Sequence, residues 1–582
     1  MSSFVRHIHR KVHTLQGERQ TALDLARGRS AFILTSFLLL YGIVALRVLE
    51  LTYIRPYFLK QETPIMASID EVKPISKETR GKIVDREGNI LASNVAVTAL
   101  YIDPIFIQNK DTAYNDLKKI FPKESAETLK ERVFSGKRNI LVRADLTPKE
   151  QDAILQAGHP GLLFKKEYMR IYPQGEQTAH LVGFVGSDGK GLEGLERIFD
   201  KQLNKGEDVT LAVDLRLQYA MHKALALKMK DFQAKAAAGI VMNIKTGEIL
   251  SSVSLPDYDP NVFANAKPHQ RSDATINGVY EMGSTFKIFS TAALFESKDP
   301  DMTLSYDATK PLVAGRFKIH DYHAEKRVLT IPEIFMHSSN IGSALIGQDI
   351  GTDKLKTVYR DLGLLDRVNV SGMTTAQPLV PNPWRPVSTF TASYGHGIAV
   401  TPMNMVQAVG TLANGGVKTT PTFIKAREQK LRQTRILSEK TSKQMLQLMR
   451  LVVTNGTGGN AEVAGYHVAG KTGTAEKISA SGGYQKDKLL SSFIGVFPAY
   501  DPQYVVFVMV DEPKGNKKSY GYATAGWTAA PAVSDVVQSM AAILGLPKNT
   551  DLTKDTQMVG RLQEIIDQSE TSQQRSAKLA SN

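Results

Sequence analysis

Ser284 and Lys287 stand three residues apart in Gly283-Ser284-Thr285-Phe286-Lys287, a spacing that puts a hydroxyl and an amine on one face of a helix. A serine hydroxyl becomes a nucleophile when a base takes its proton. A lysine amine can do so once burial and nearby positive charge lower its pKa. Phe286, Ile288 and Phe289 make the surrounding helix apolar on most sides, which favours a buried Lys287 over a solvated one. Gly283 marks the expected helix start, where free N–H groups and the helix dipole favour a developing oxyanion. The chemistry this pair suits is acyl transfer through a serine ester.

Two later segments supply what such a nucleophile needs. Ser338-Ser339-Asn340 follows a helical run. A second hydroxyl there can relay a proton to a leaving amine, and the Asn340 amide can hold both a lysine and a substrate amide. Read by itself, such a triplet most often caps a helix or a turn. Lys471-Thr472-Gly473-Thr474 follows a strand-like run. Its cation and two hydroxyls suit a substrate carboxylate, Gly473 lets backbone approach, and a strand edge can pair with an extended peptide. The Thr474 N–H is expected to complete an oxyanion hole with that of Ser284. The expected catalytic residues are Ser284, Lys287, Ser338 and Asn340; the expected substrate-binding residues are Lys471, Thr472, Gly473 and Thr474.

The letters alone do not decide this. Ser187 and Lys190 repeat the first spacing, and Lys245-Thr246-Gly247 repeats the third motif between two strand-like runs, where it reads as a hairpin turn. Gly465 to Thr472 spells a complete phosphate loop, and Val505 to Glu512 resembles the strand and acid that hold its magnesium. A phosphate loop opens a helix, whereas the residues between these glycines are strand-like and Ser479 to Gly483 argue against a following helix. His320 and His323 lack the spacing and the acid partner of a zinc site. No metal and no cofactor are expected.

The elements that must position these residues follow from length and pattern. A chain of 582 residues is too long for one core, and 42% hydrophobic with 22% charged residues is an ordinary folded composition. Cysteine is absent, which excludes disulfides and thiolate metal sites. The net charge of +14 is spread along the chain without a recognition module, so nucleic acid is not an expected partner; a basic surface suits an anionic membrane or cell envelope. Residues 1–30 carry six basic against two acidic residues, and 31–51 are long and apolar enough for one bilayer crossing. The positive-inside rule then keeps the leader in the cytoplasm and exports the rest. Residues 52–213 read as an irregular α/β domain in which Glu193 and Glu196 are structural. Residues 214–548 read as strands, then helices, then strands, which predicts an antiparallel sheet whose two ends in sequence meet in space. Residues 549–582 read as a tail, with one short amphipathic helix around Met558, Leu562, Ile565 and Ile566 and a disordered end after Ser569.

Taken together, these segments resemble class B penicillin-binding proteins, and more closely the division-specific peptidoglycan transpeptidases (FtsI type). The resemblance rests on Arg80-Gly81 through Gly88, Tyr172-Pro173 to Gly183, Gly194-Leu195-Glu196, Tyr280-Glu281-Met282-Gly283-Ser284, His396 to Pro402, Asn455-Gly456-Thr457 and Ala469 to Ala475. It implies an α+β fold of membrane anchor, pedestal domain and penicillin-binding transpeptidase domain. It implies that Ser284 attacks the D-Ala–D-Ala amide of a stem peptide, with Lys287 as base and Ser338 and Asn340 in the proton network. Lys471, Thr472 and Thr474 would grip the terminal carboxylate. The implied partners are stem peptides, a septal glycan polymerase and other division-complex membrane proteins, with β-lactams as covalent inhibitors. The implied location is the bacterial inner membrane, single-pass, with periplasmic domains at the division septum. Ser338-Ser339-Asn340-Ile341-Gly342 and the chain length favour the division type over the elongation type, the anchor and pedestal disfavour a hydrolase, and retention of all three motifs weighs against a sensor with a dead site. Met282 replaces the family's usual proline, and the joint between Leu203 and Asp208 is shorter than usual.

Overall fold

The structure, a computed structural model, describes residues 34–42, 44–45, 75–76 and 80–581, apart from 316, 426–433, 480–482, 550 and 552. The chain divides into two units. In the smaller, Leu34–Gly42 is helical and its leucines are exposed; the rest of the expected 31–51 anchor falls largely outside the described residues. No helix among the described residues is long and apolar enough to cross a membrane.

The larger unit begins with a sheet built on two long antiparallel strands, Ile90–Ile102 and Leu162–Ile171. Beside them, Ile83–Val84 runs parallel to Val209–Thr210. Glu196 is fully buried here, its carboxylate held by Arg80 at 2.5 Å and Arg170 at 2.7 Å, while Arg80 also reaches Asp200. A buried carboxylate needs such partners, because leaving it unpaired would cost several kcal/mol, on the order of 3–5. Glu193 lies apart and faces Arg271. The short joint is a tight turn: the Lys205 N–H donates to Gln202 O and the Gly206 N–H to Leu203 O, leading straight into Val209.

The rest of the unit is organised on a five-stranded antiparallel sheet. Its strands are β1 (Ala236–Asn243), β2 (Ile249–Leu255), β3 (Ala469–Ile478), β4 (Tyr484–Phe497) and β5 (Tyr504–Asp511), in the spatial order β3-β4-β5-β1-β2. The first and last strands in sequence therefore pair, β5 against β1. β5 shows why. Val505, Phe507 and Met509 enter one core, whereas Val506, Val508 and Val510 enter another. Alternate residues of a strand face opposite ways, so an unbroken apolar run is a strand buried on both faces.

The helices used below are α1 (Leu215–Asp231), α2 (Lys287–Lys298), α3 (Ile331–Met336), α4 (Asn340–Ile350), α5 (Glu439–Asn455), α6 (Ala529–Leu544) and α7 (Thr553–Ser581). α1 and α6 share a core with one face of the sheet. α2 shares the core of the other face, with Lys287 through Phe295 all buried.

Two rival motifs resolve here. Lys245 to Gly247 is the β1–β2 turn, with Lys245 exposed and bonded to Asn414. The phosphate-loop spelling runs into β3 and no helix follows it; the acid at the end of β5, Asp511, pairs with Lys477 at 2.9 Å. The tail forms the expected amphipathic helix, and departs from expectation in continuing past Ser569. It is one helix, α7, that buries Val559, Leu562, Ile565 and Ile566 and pairs Asp555 with the buried Arg450. Its narrow apolar stripe finds a partner surface only in the folded domain.

Candidate active site

Ser284 lies in a 3₁₀ turn, Gly283–Phe286, that leads into α2, so Lys287 is the first residue of the helix proper. The turn is pressed against β3. A Cβ on Gly283 (φ +54°) would sit 2.9 Å from Thr474 O, and one on Gly473 would sit 2.5 Å from Met282 O. Glycine at both positions is what lets the turn and the strand touch. Gly473→Ala is therefore expected to push β3 off the turn and slow acylation of Ser284 about 100-fold. Stopped-flow labelling with a fluorescent penicillin measures this, and an unchanged rate would show that the contact is dispensable.

Ser338 and Asn340 reach the same point from a different side. Thr330 and Glu333 form the capping box that starts α3, and Ser339 caps α4 by accepting from the Gly342 N–H at 2.9 Å. Between the two helices Ser338 adopts φ +60°, a left-handed conformation uncommon for a residue with a side chain. Ser339 thus fills the capping role that the triplet suggests by itself, while its two neighbours turn inward.

The structure brings Ser284, Lys287, Ser338, Asn340 and Lys471 together. The Lys287 Nζ is 3.0 Å from Ser284 Oγ, 2.5 Å from Ser338 O, 3.1 Å from Ser338 Oγ and 2.8 Å from Asn340 Oδ1. A neutral amine matches this set, its two hydrogens going to the carbonyl and amide oxygens and its lone pair facing a hydroxyl. The Asn340 amide is oriented from both ends, since its Nδ2 donates to His320 O at 3.1 Å. The Lys471 Nζ lies 3.0 Å from Ser338 Oγ, so one hydroxyl stands between two lysines. Both lysines are fully buried. Burial, then repulsion from Lys471, holds the Lys287 ammonium well below its ordinary pKa, with Asp321 opposing. Burial brings Lys471 down to about 7.

The remaining predicted residues line β3. Thr472 Oγ1 is 2.6 Å from Thr457 Oγ1, and Thr474 Oγ1 accepts from the Ala525 N–H at 3.2 Å. Lys190, by contrast, is an exposed loop residue beside Asp188.

Three residues escaped the sequence reading. Asp321 accepts from Ser339 Oγ at 2.8 Å, Asn340 N at 2.5 Å and Ile341 N at 2.9 Å, fixing the start of α4. It lies between the two histidines considered for zinc, and only its position ahead of a helix start hints at this. Glu281 accepts from Gly397 N at 2.9 Å and from the Tyr484 hydroxyl at 3.0 Å, and burial raises its pKa. His396 stacks on Tyr484 and is pushed down to about 4 by burial and by Lys287, so it is neutral. Glu281 and His396 both fall in segments that carry the resemblance, but no spacing connects them to the serine.

Comparison with known proteins agrees with this architecture. Residues 237–536 match the penicillin binding protein transpeptidase domain and residues 75–209 the penicillin-binding protein dimerisation domain. The chain is 40% identical to the probable peptidoglycan D,D-transpeptidase FtsI of Caulobacter vibrioides, over 81% of this chain and 82% of that one. It is 29% identical to the probable peptidoglycan D,D-transpeptidase PenA of Neisseria gonorrhoeae, over 91% and 95%. Among solved structures it is similar to penicillin binding protein 3 from Mycobacterium tuberculosis, complexed with aztreonam, with a TM-score of 0.65 and 24% identity over 82% of this chain and 98% of that one. The chain belongs to the penicillin-binding protein transpeptidase family, and within it to the class B members of FtsI type.

Proposed function

We propose that this chain is a peptidoglycan D,D-transpeptidase of septal wall synthesis, acting through an ester on Ser284. The observation that carries the reading is the buried Lys287 amine 3.0 Å from Ser284 Oγ. Lys287 takes the hydroxyl proton as Oγ attacks the carbonyl of the penultimate D-alanine. The N–H groups of Ser284 and Thr474 receive the oxyanion. Lys471, Thr472 and Thr474 hold the terminal carboxylate, with Gly473 giving the backbone room. The C–N bond then breaks, and D-alanine leaves with a proton delivered through Ser338, whose hydroxyl lies 3.1 Å from Lys287 and 3.0 Å from Lys471. Asn340 steadies the lysine and the peptide amide. An amine of a second stem peptide attacks the ester, forms the cross-link and returns the proton to Ser284. A β-lactam, whose ring amide resembles the scissile bond, stops at the acyl stage.

The leader 1–30, the 31–51 anchor, a 52–213 pedestal, a 214–548 transpeptidase region and a 549–582 tail complete the reading. The anchor would hold the chain in the inner membrane with its domains outside. A septal glycan polymerase would meet the anchor and pedestal. The reading is tested by supplying the purified chain with a stem peptide ending in D-Ala–D-Ala and an acceptor amine, and by locating a tagged copy in cells. One D-alanine per cross-link and a mid-cell signal are expected. Release without cross-linking would make the chain a hydrolase, and a lateral-wall signal would reject the septal assignment.

A further inference from the structure

Helix α7 lies beyond the residues matched to the transpeptidase domain. Some of its polar contacts bear on the two segments that carry Ser338 and Lys471, directly or through Arg450. Near its start, Asp555 accepts from Arg450 Nε at 2.7 Å and Nη2 at 2.8 Å. Arg450, itself buried in α5, donates through Nη1 to Val468 O at 2.7 Å, three residues before Lys471. Further along, Ser569 Oγ donates to Glu333 Oε2 at 3.2 Å, Glu570 pairs with Arg327 at 3.1 Å and Gln573 Nε2 donates to Val328 O at 2.8 Å. Arg327 also pairs with Glu333, which is fully buried and caps α3. Between these two ends, Leu562 and Ile566 pack into the main core.

Both supported segments are weak by themselves. α3 is a six-residue helix, and the residue that must face two lysines follows it at φ +60°. β3 is an edge strand, hydrogen-bonded within the sheet on one side only. A buried Glu333 carboxylate keeps its place only while its partners keep theirs, and Glu570 holds the arginine that balances it. We propose that α7 is a brace that positions the Ser338 turn and the Lys471 strand so that the two lysines share one hydroxyl. The proposal rests on the active-site reading above. Its role is that of a positioning element, since no described side chain of α7 touches the reacting atoms.

The test uses the full chain and a chain ending at Asp567, which loses Ser569, Glu570 and Gln573 but keeps Asp555, Leu562, Ile565 and Ile566. Fluorescent penicillin acylation is resolved into affinity and acylation rate constant. The shortened chain is expected to bind one penicillin per molecule with unchanged affinity and to acylate at least about tenfold more slowly. Full-length Ser569→Ala/Glu570→Ala is expected to show the same split, and Glu570→Asp to recover much of the rate. Equal acylation rate constants in the shortened and full chains, whatever their melting temperatures, would show that Ser569, Glu570 and Gln573 do not position the Ser338 turn and would overturn the brace. If the shortened chain does not fold, the double substitution decides on the same criterion. Labelling of the unaltered chain reports separately on the active-site reading.

Discussion

Ser284→Ala is expected to abolish covalent labelling by a fluorescent penicillin, with the melting temperature within about 2 °C of the unaltered chain. The loss is complete because the ester has no other place to form: the chain has no cysteine, and Ser338 Oγ is committed to two lysine amines. The stability change is small because the substitution removes one hydroxyl, and the net contribution of one such hydrogen bond is about 1 kcal/mol. The Lys287 amine keeps Ser338 O and Asn340 Oδ1. Reversible binding of the β-lactam carboxylate should survive, since Lys471 and Thr472 are untouched. Covalent labelling of the purified variant, followed by peptide mapping, is the measurement. An ester found in Ser284→Ala would move the nucleophile elsewhere and overturn the assignment.

How much of this was legible in the sequence varies with the range of the interaction. The Ser284–Lys287 pairing spans one helical turn, and the β1–β2 turn that disqualifies Lys245 is equally local, so both could be read from spacing. The unbroken apolar run from Val505 to Val510 announces a strand buried on both faces, but not which core each side serves. The meeting of Ser338 with Lys471 joins residues 133 apart. Only the order of the motifs in a recognised pattern could suggest it.

Asp321, Glu281 and His396 were missed for a related reason. Each acts through backbone N–H groups or rings supplied by another segment, and a lone acid or histidine carries no local signature of that. The amphipathic helix of the tail was legible in its apolar spacing, but its continuation past Ser569 was not, because composition reports the solvent side of a helix. Four serines and two glutamines make residues 569–582 polar, whereas what ties α7 to the domain includes an arginine 105 residues earlier.

Lys287→Met separates catalysis from stability, because the two should move in opposite directions. Methionine fills nearly the volume of the buried stem but has neither proton acceptor nor charge. Acylation of Ser284 should fall about 10²- to 10⁴-fold, the range that a positioned general base contributes. Stability should not fall with it. The folded-state pKa of Lys287 lies well below its ordinary value, so the unfolded chain binds the extra proton at every pH between the two. The native lysine therefore destabilises the fold, most strongly at or below its folded pKa, and the penalty shrinks as pH rises toward the unfolded value. Removing it should raise the melting temperature, with the largest gain at acidic pH, partly offset by the unpaired Ser338 carbonyl and Asn340 amide. The same substitution leaves intact the burial that lowers Lys471. Lys471, at about 7, then loses its charge, and its hold on a carboxylate, as pH rises through neutrality. A Lys287→Met chain that acylates at the normal rate would shift the base to another group. One that melts lower at every pH would mean that the lysine's hydrogen bonds outweigh the cost of burying it, and that this active site stores no strain.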